Sequence, residues 1–174
     1  MSEKDLKIEY QGNVYSRRKG QWSDADNYIV PTTLQRELNA YYASLLDLES
    51  MSLTDIIKEA DKLKDTGSNN AAVKLYTYVL DRCDRSTCTY ILPRITSCLR
   101  KQGKSREAIT LFSVSKRKYG LSFLNNALLV SVAGAYCDVC EYENARTCCN
   151  LAFSNGDRSE FLKMVYRRID KETK

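Results

Sequence analysis

The feature that most constrains this chain is an internal repeat. Three segments line up: "IIKEADKLKDTGSNNAAVKLYTYVL" from Ile56, "LPRITSCLRKQGKSREAITLFSVSK" from Leu92 and "LVSVAGAYCDVCEYENARTCCNLAF" from Leu129. Each carries an apolar stripe at the helical period, a short polar break, and a second helical stripe. Ala72, Ala108 and Ala145 hold matching places early in the second stripe, at spacings of 36 and 37. Four residues later stand Tyr76, Phe112 and Cys149, and the breaks carry Gly67, Gly103 and Cys140. A small residue where two antiparallel helices cross closely, with a large one a turn later, is what a packed helical hairpin needs. One such hairpin cannot bury its apolar face alone, so repeats of this kind must stack.

Composition allows such a core. The 174 residues hold 43% hydrophobic side chains and two prolines, and a chain of this length buries about 70% of its unfolded surface without metals or disulfides. The longest apolar run is far short of a membrane span, and the charged start "MSEKDLKIEY" lacks the apolar core of a signal peptide. Seven cysteines, an odd number, read as thiols in a reducing cytoplasm.

The flanks of the repeats differ from one another. Leu6, Ile8 and Tyr10 alternate before Gln11-Gly12, and Val14–Arg18 precedes a second turn at Lys19-Gly20 and then Trp22. Two X-Gly turns between β-prone runs predict a meander of two or three strands, anchored on helices by Trp22, Tyr10 and Tyr15. Arg17, Arg18 and Lys19 read as a solvated turn, with contact to an acidic partner or nucleic acid as the functional alternative. "VPTTLQRELNAYYASLLDLE" predicts a helix with a Thr32–Gln35 capping box and Leu34, Leu38, Tyr41, Leu45 and Leu48 on one face. Ser52 reads as the cap of the next helix. After the repeats, Asp157 and Glu160 stand in capping-box spacing before a helix whose Phe161, Leu162, Val165 and Ile169 cover the end of the stack. Pro93 is accommodated if its helix starts near Thr89 or Tyr90.

At the aligned residues the chain resembles a tetratricopeptide repeat protein, over roughly Leu53 to Phe153. The small first-helix position is Ala60, Thr96 and Ala133, and the large one after it is Leu63, Leu99 and Tyr136. The spacing exceeds the family's repeat of about 34 residues; Ile56, Leu92 and Leu129 stand where the family has tryptophan, and no repeat ends in the usual proline. The expected fold is mainly α: an α-solenoid of three antiparallel helical hairpins with flanking helices and a short N-terminal β-meander. The domains read as a β extension over 1–30 and a repeat domain over 31–174, with repeats at about 53–84, 89–120 and 126–154 and a capping helix over 157–172.

The cysteine cluster in "GAYCDVCEYENARTCC" fits that plan. Cys148 and Cys149 align with Leu75–Tyr76 and Leu111–Phe112, where cysteine acts as a small hydrophobe. Cys137 and Cys140 fall at the end of the first helix and at the break, and Cys83 and Cys88 between repeats one and two. A zinc site needs four converging thiolates, and this spacing matches no recognised knuckle. No metal and no cofactor is expected. The chain has no histidine, and the phosphate-loop, dinucleotide, nucleophile-elbow and zincin signatures are absent. Catalysis is therefore not expected.

The resemblance implies a binding surface on the inner face, built from first helices. Carried onto this sequence, it comprises Asp61 and Lys64 of repeat one, Arg94, Ser97, Arg100 and Lys101 of repeat two, and Val130, Gly134 and Asp138 of repeat three. Arg100 to Lys118 holds seven basic residues against one acidic residue. The expected function is a non-catalytic protein–protein interaction module, an adaptor or scaffold taking an acidic peptide or protein segment. The second reading is an RNA-binding repeat protein using the basic middle repeat, since pentatricopeptide proteins share the helical-hairpin plan. A net charge of +5 is modest for a nucleic-acid track.

Overall fold

A computed structural model describes residues 6–120 and 125–173. These residues are mainly helical, with eight helices and one three-stranded antiparallel sheet. They fall into two compact units, Met1–Val79 and Leu80–Lys174.

The first unit opens with the meander. Strands β1 (Leu6–Tyr10), β2 (Asn13–Arg18) and β3 (Gln21–Ser23) pair in that order, Leu6 opposite Arg17 and Arg17 opposite Trp22. Both tight turns carry two consecutive left-handed residues, Gln11–Gly12 and Lys19–Gly20, the geometry that matches strand twist in two-residue hairpins. Ile8, Trp22 and Val30 pack on Leu38 of helix α1 (Thr32–Leu45), and Trp22 is wholly buried. Its indole Nε1 donates to Asn39 Oδ1 at 2.7 Å, and Asn39 Nδ2 donates to Ser68 Oγ at 2.8 Å. The buried Asn39 thus ties the sheet to the turn between α2 (Leu53–Asp65) and α3 (Asn69–Leu80).

Two expectations for α1 are corrected. Pro31 occupies the N-cap and no side chain caps the helix. Gln35 instead behaves like a neighbouring strand, donating to the Trp22 carbonyl at 2.7 Å and accepting from its amide at 2.8 Å. The helix ends at Leu45, so Leu45 is exposed and Leu48 lies beyond it. Ser52 caps α2 as expected, accepting from the Asp55 amide.

The second unit contains α4 (Arg85–Lys101), α5 (Ser105–Tyr119), α6 (Asn126–Asp138), α7 (Tyr142–Ser154) and α8 (Glu160–Glu172). Helix α6 packs against each of the other four, and Leu128 through Ala135 are buried on every face. A helix apolar all round belongs inside; "ALLVSVAGA" is such a helix. Cys148, Cys149 and Ala152 of α7, and Leu162, Val165 and Ile169 of α8, complete this core.

The repeat signal corresponds to a recurring local structure. Ala72, Ala108 and Ala145 are wholly buried, as are Tyr76 and Cys149, and Phe112 is nearly so. After α2, α4, α6 and α7 the same turn recurs: the amides of Ser68, Lys104, Glu141 and Asp157 donate back to the carbonyls of Leu63, Leu99, Tyr136 and Ala152. Gly67, Gly103, Cys140 and Gly156 take the left-handed position. This is the Schellman closure, which satisfies the last carbonyls of a helix.

Helix α4 starts at Arg85, capped by Asp84, rather than near Thr89, so Pro93 lies well inside it. Proline has no amide to offer the carbonyl four residues back. Asn125 supplies the missing donor: its Nδ2 reaches the Thr89 carbonyl at 2.9 Å, while its Oδ1 caps α6 by accepting from the Leu128 amide. Helix α8 likewise departs from expectation. It starts at Glu160 with Ser159 as cap, and Asp157 accepts from the Ser159 amide instead of forming a capping box. Phe161 is half exposed rather than part of the cover. Among the described residues no helix is long and apolar enough to cross a membrane.

Candidate functional site

The end of α4, the turn into α5, the end of α6 and Phe161 of α8 surround a cleft of about 740 Å3 in the second unit. Ser97, Arg100 and Lys101, three of the residues expected to bind, line it together with Lys104, Ser105 and Arg106. The floor is organised by Asp138. Its Oδ2 accepts from Arg100 Nε at 2.8 Å and from Ser105 Oγ at 2.8 Å, and its Oδ1 accepts from Arg168 Nη1 at 2.6 Å. Burial pushes the Asp138 pKa up, but the hydrogen bonds from Arg100, Arg168 and Ser105 outweigh it, and the carboxyl ends below its ordinary value.

Gly134 makes this arrangement possible. A Cβ there would lie 2.2 Å from Arg100 Nη1, so the guanidinium lies flat on bare α6 backbone on its way to Asp138. Val130, expected on the same face, is instead buried in the α6 core, because neighbours enclose that helix all round.

The cations divide into two kinds. Arg100 and Arg168 share the one carboxylate of Asp138, whereas Lys101 and Arg106 make no ion pair among the described residues. Lys104 approaches Glu107 only to 3.8 Å. Lys104 is also the N-cap of α5 and provides no side-chain cap, so the first-turn amides of α5 add positive potential at this cleft. The rest of the basic run, Lys116 to Lys118, sits in the last turn of α5, where it complements the helix dipole.

The remaining expected residues lie elsewhere. Arg94 folds back on its own helix, stacking 3.4 Å from the Tyr90 ring and donating to the Tyr90 carbonyl. In the first unit, Asp61 accepts from the Tyr76 hydroxyl and Lys64 pairs with Asp65 at 2.7 Å. Lys104 and Arg106 stood within the basic run of the sequence. The contacts of Asp138 with Arg100, Ser105 and Arg168 gave no sequence signal, because these partners lie 38, 33 and 30 positions away.

Three of the four clustered cysteines are placed as packing residues. Cys137, Cys148 and Cys149 are buried and Cys140 is exposed. Burial pushes the Cys148 thiol up to about 11 and the Cys149 thiol up to about 12, and raises Cys137 as well. Among the described residues no three histidine, cysteine or acidic side chains converge to hold a metal ion. No protein-family model, no curated protein and no solved structure matches this chain.

Proposed function

We propose that this protein is a non-catalytic interaction module, an adaptor or scaffold, whose second unit takes an acidic peptide segment in the cleft beside Lys101 and Arg106. The observation that carries this reading is the uneven neutralisation of charge there. Arg100 and Arg168 are held by Asp138, which leaves the adjoining Lys101, Lys104 and Arg106 with little or no internal compensation. A cleft of about 740 Å3 is large enough for several side chains of a bound segment. The recurring helix–turn–helix units, with a buried alanine early in each second helix, support a tetratricopeptide-like solenoid as the scaffold.

The test is fluorescence anisotropy of a labelled aspartate- and glutamate-rich peptide at several salt concentrations. Binding that falls with salt, and weakens by about 1–3 kcal/mol in Lys101→Ala with Arg106→Ala, is the expected result. Equal binding of an uncharged peptide would remove the electrostatic basis. Preferential retention of RNA, with a steep salt dependence, would replace the peptide reading.

A further inference from the structure

The sheet of the first unit has two edges, and the chain treats them differently. Strand β2 lies between β1 and β3. The outer side of β3 is occupied: Ile29 forms a bridge with Ser23, and Gln35 takes both the amide and the carbonyl of Trp22. Among the described residues β1 pairs on one side only, with β2.

The hairpin turn decides which groups of β1 point outward. Gln11 and Gly12 form a two-residue turn, so Tyr10 and Asn13 exchange backbone hydrogen bonds. Antiparallel pairs alternate between bonded and non-bonded, which makes Ile8–Tyr15 and Leu6–Arg17 the other bonded pairs. The amides and carbonyls of Lys7 and Glu9 therefore face away from β2. Outside the β1–β2 pairing neither residue makes a backbone–backbone hydrogen bond among the described residues. An edge of this kind accepts a further strand.

The side chains specify which strand fits. Lys7 and Glu9 are exposed and stand symmetrically about Ile8. When a second β1 lies antiparallel with Ile8 opposite Ile8, each Lys7 faces a Glu9, on both sides of the two-fold axis. These are also the residues with outward backbone groups, so they form the bonded pairs of the seam. On the other face Leu6 meets Tyr10 and Ile8 meets Ile8, at the non-bonded positions where side chains come closest. Leu6 and Tyr10 are only half-buried in the single chain, so the seam gives them apolar cover. Sliding one strand by two residues, the smallest step that keeps outward groups facing each other, sets Lys7 on Lys7 or Glu9 on Glu9. A lone edge lysine discourages strand addition; here the glutamate two positions on makes an identical strand the exception.

We propose that β1 is a self-recognition edge, through which two copies of this chain join antiparallel about Ile8 into one continuous sheet. A five-residue strand makes an interface below the standard size, so the association is weak and reversible.

Sedimentation equilibrium of the full chain at low ionic strength, up to about 1 mM to reach weak complexes, tests this. The expected result is a reversible monomer–dimer equilibrium. Lys7→Glu and Glu9→Lys should each weaken it at least about tenfold, because like charges then face each other twice. Both replace exposed side chains, and circular dichroism verifies that the fold is kept. The double variant Lys7→Glu with Glu9→Lys recreates the opposite pairs and should dimerise again. An equimolar mixture of the two single variants should do so too, as a heterodimer. A chain that stays monomeric throughout would overturn the proposal. Dimerisation unaffected by either single change, or not recovered in the double variant and the mixture, would overturn it as well.

Discussion

Two arginine–carboxylate clusters of opposite character occur in this molecule. In the first unit Arg17 and Glu59 meet at 2.6 Å with side chains 6% and 10% exposed. In the second unit Asp138 gathers Arg100 and Arg168 with side chains 25%, 20% and 45% exposed. The contact distances are alike, so the difference lies in the surroundings. Water reaches the Asp138 cluster and weakens each attraction. The Arg17–Glu59 pair has lost most of its hydration, and each ion there depends on the other for solvation. The exposed cluster therefore adjusts the surface around a cleft, while the buried pair holds a sheet against a helix.

The sharpest way to break that comparison is Glu59→Ala. It strands a buried guanidinium, and the expected loss is about 3–5 kcal/mol of unfolding free energy, seen by denaturant melts and nearly independent of salt. Replacing both partners, Arg17→Met with Glu59→Met, should restore most of that loss, since a buried pair can often be exchanged for apolar packing at little cost. A loss from Glu59→Ala below about 1 kcal/mol would show that water reaches Arg17 and that the two clusters do not differ in kind.

Asp138→Asn is the matching change in the second unit. Expected is a loss of about 1–2 kcal/mol, partly recovered at high salt, because Arg100 and Arg168 are then left facing each other. The pH dependence has a definite sign. The Asp138 pKa is depressed in the fold, so its contribution is present above the unfolded carboxylate value of about 3.9. It is lost as pH falls through the folded value. The gap in stability between wild type and Asp138→Asn should therefore begin to narrow below about pH 4 and close only once the pH has passed below the folded value. A gap that persists there would assign the effect to shape rather than charge.

Stability can also be gained beside this cluster without altering charge. Cys140 holds φ 62° in the turn where Gly67, Gly103 and Gly156 stand in the other three. A side chain in the left-handed region costs roughly 1–2 kcal/mol, so Cys140→Gly should stabilise by about 1 kcal/mol, less the entropy glycine adds to the unfolded chain. A melting temperature that falls in this variant would mean that the thiol contributes more than packing.

The sequence makes some of this legible and hides the rest for physical reasons. Buried alanines at a regular interval, glycines at helix ends and X-Gly turns between β-prone runs are local signals, and the meander and the helix order follow from them. Gln35 and Asn125 were hidden because each satisfies a backbone group elsewhere in the chain, Trp22 and Thr89 respectively, Gln35 in place of capping its own helix and Asn125 in addition to it. Arg17 misleads for a related reason. Beside Arg18 and Lys19 it resembles a solvated charge run, but strand alternation turns it inward onto Glu59, 42 residues on. Ser97, Arg100 and Lys101 were named by carrying the inward positions that the tetratricopeptide resemblance implies onto a single helix. Asp138 was found on the matching helix of the next repeat, but its contacts with Arg168 and Ser105 required the folded chain.

The smallest expected effect on stability tests what Gly134 is for. Alanine there would collide with the Arg100 guanidinium, whose nearest atoms lie 2.2 to 2.6 Å from the new Cβ. The colliding group is the far end of a flexible side chain, so Arg100 can swing away and give up its bond to Asp138. Losing one partly exposed ion pair costs up to about 1 kcal/mol, and replacing a helical glycine by alanine returns about 0.5–1 kcal/mol. The net change in Gly134→Ala should thus stay within about 0.5 kcal/mol of zero. Arg100, released into the cleft, then joins Lys101 and Arg106, and affinity for an acidic peptide should rise by a few-fold, under about 1 kcal/mol. A strong loss of stability would show that α6 has no room to lose this contact, whereas unchanged affinity at unchanged stability would show that Arg100 reaches Asp138 by another path.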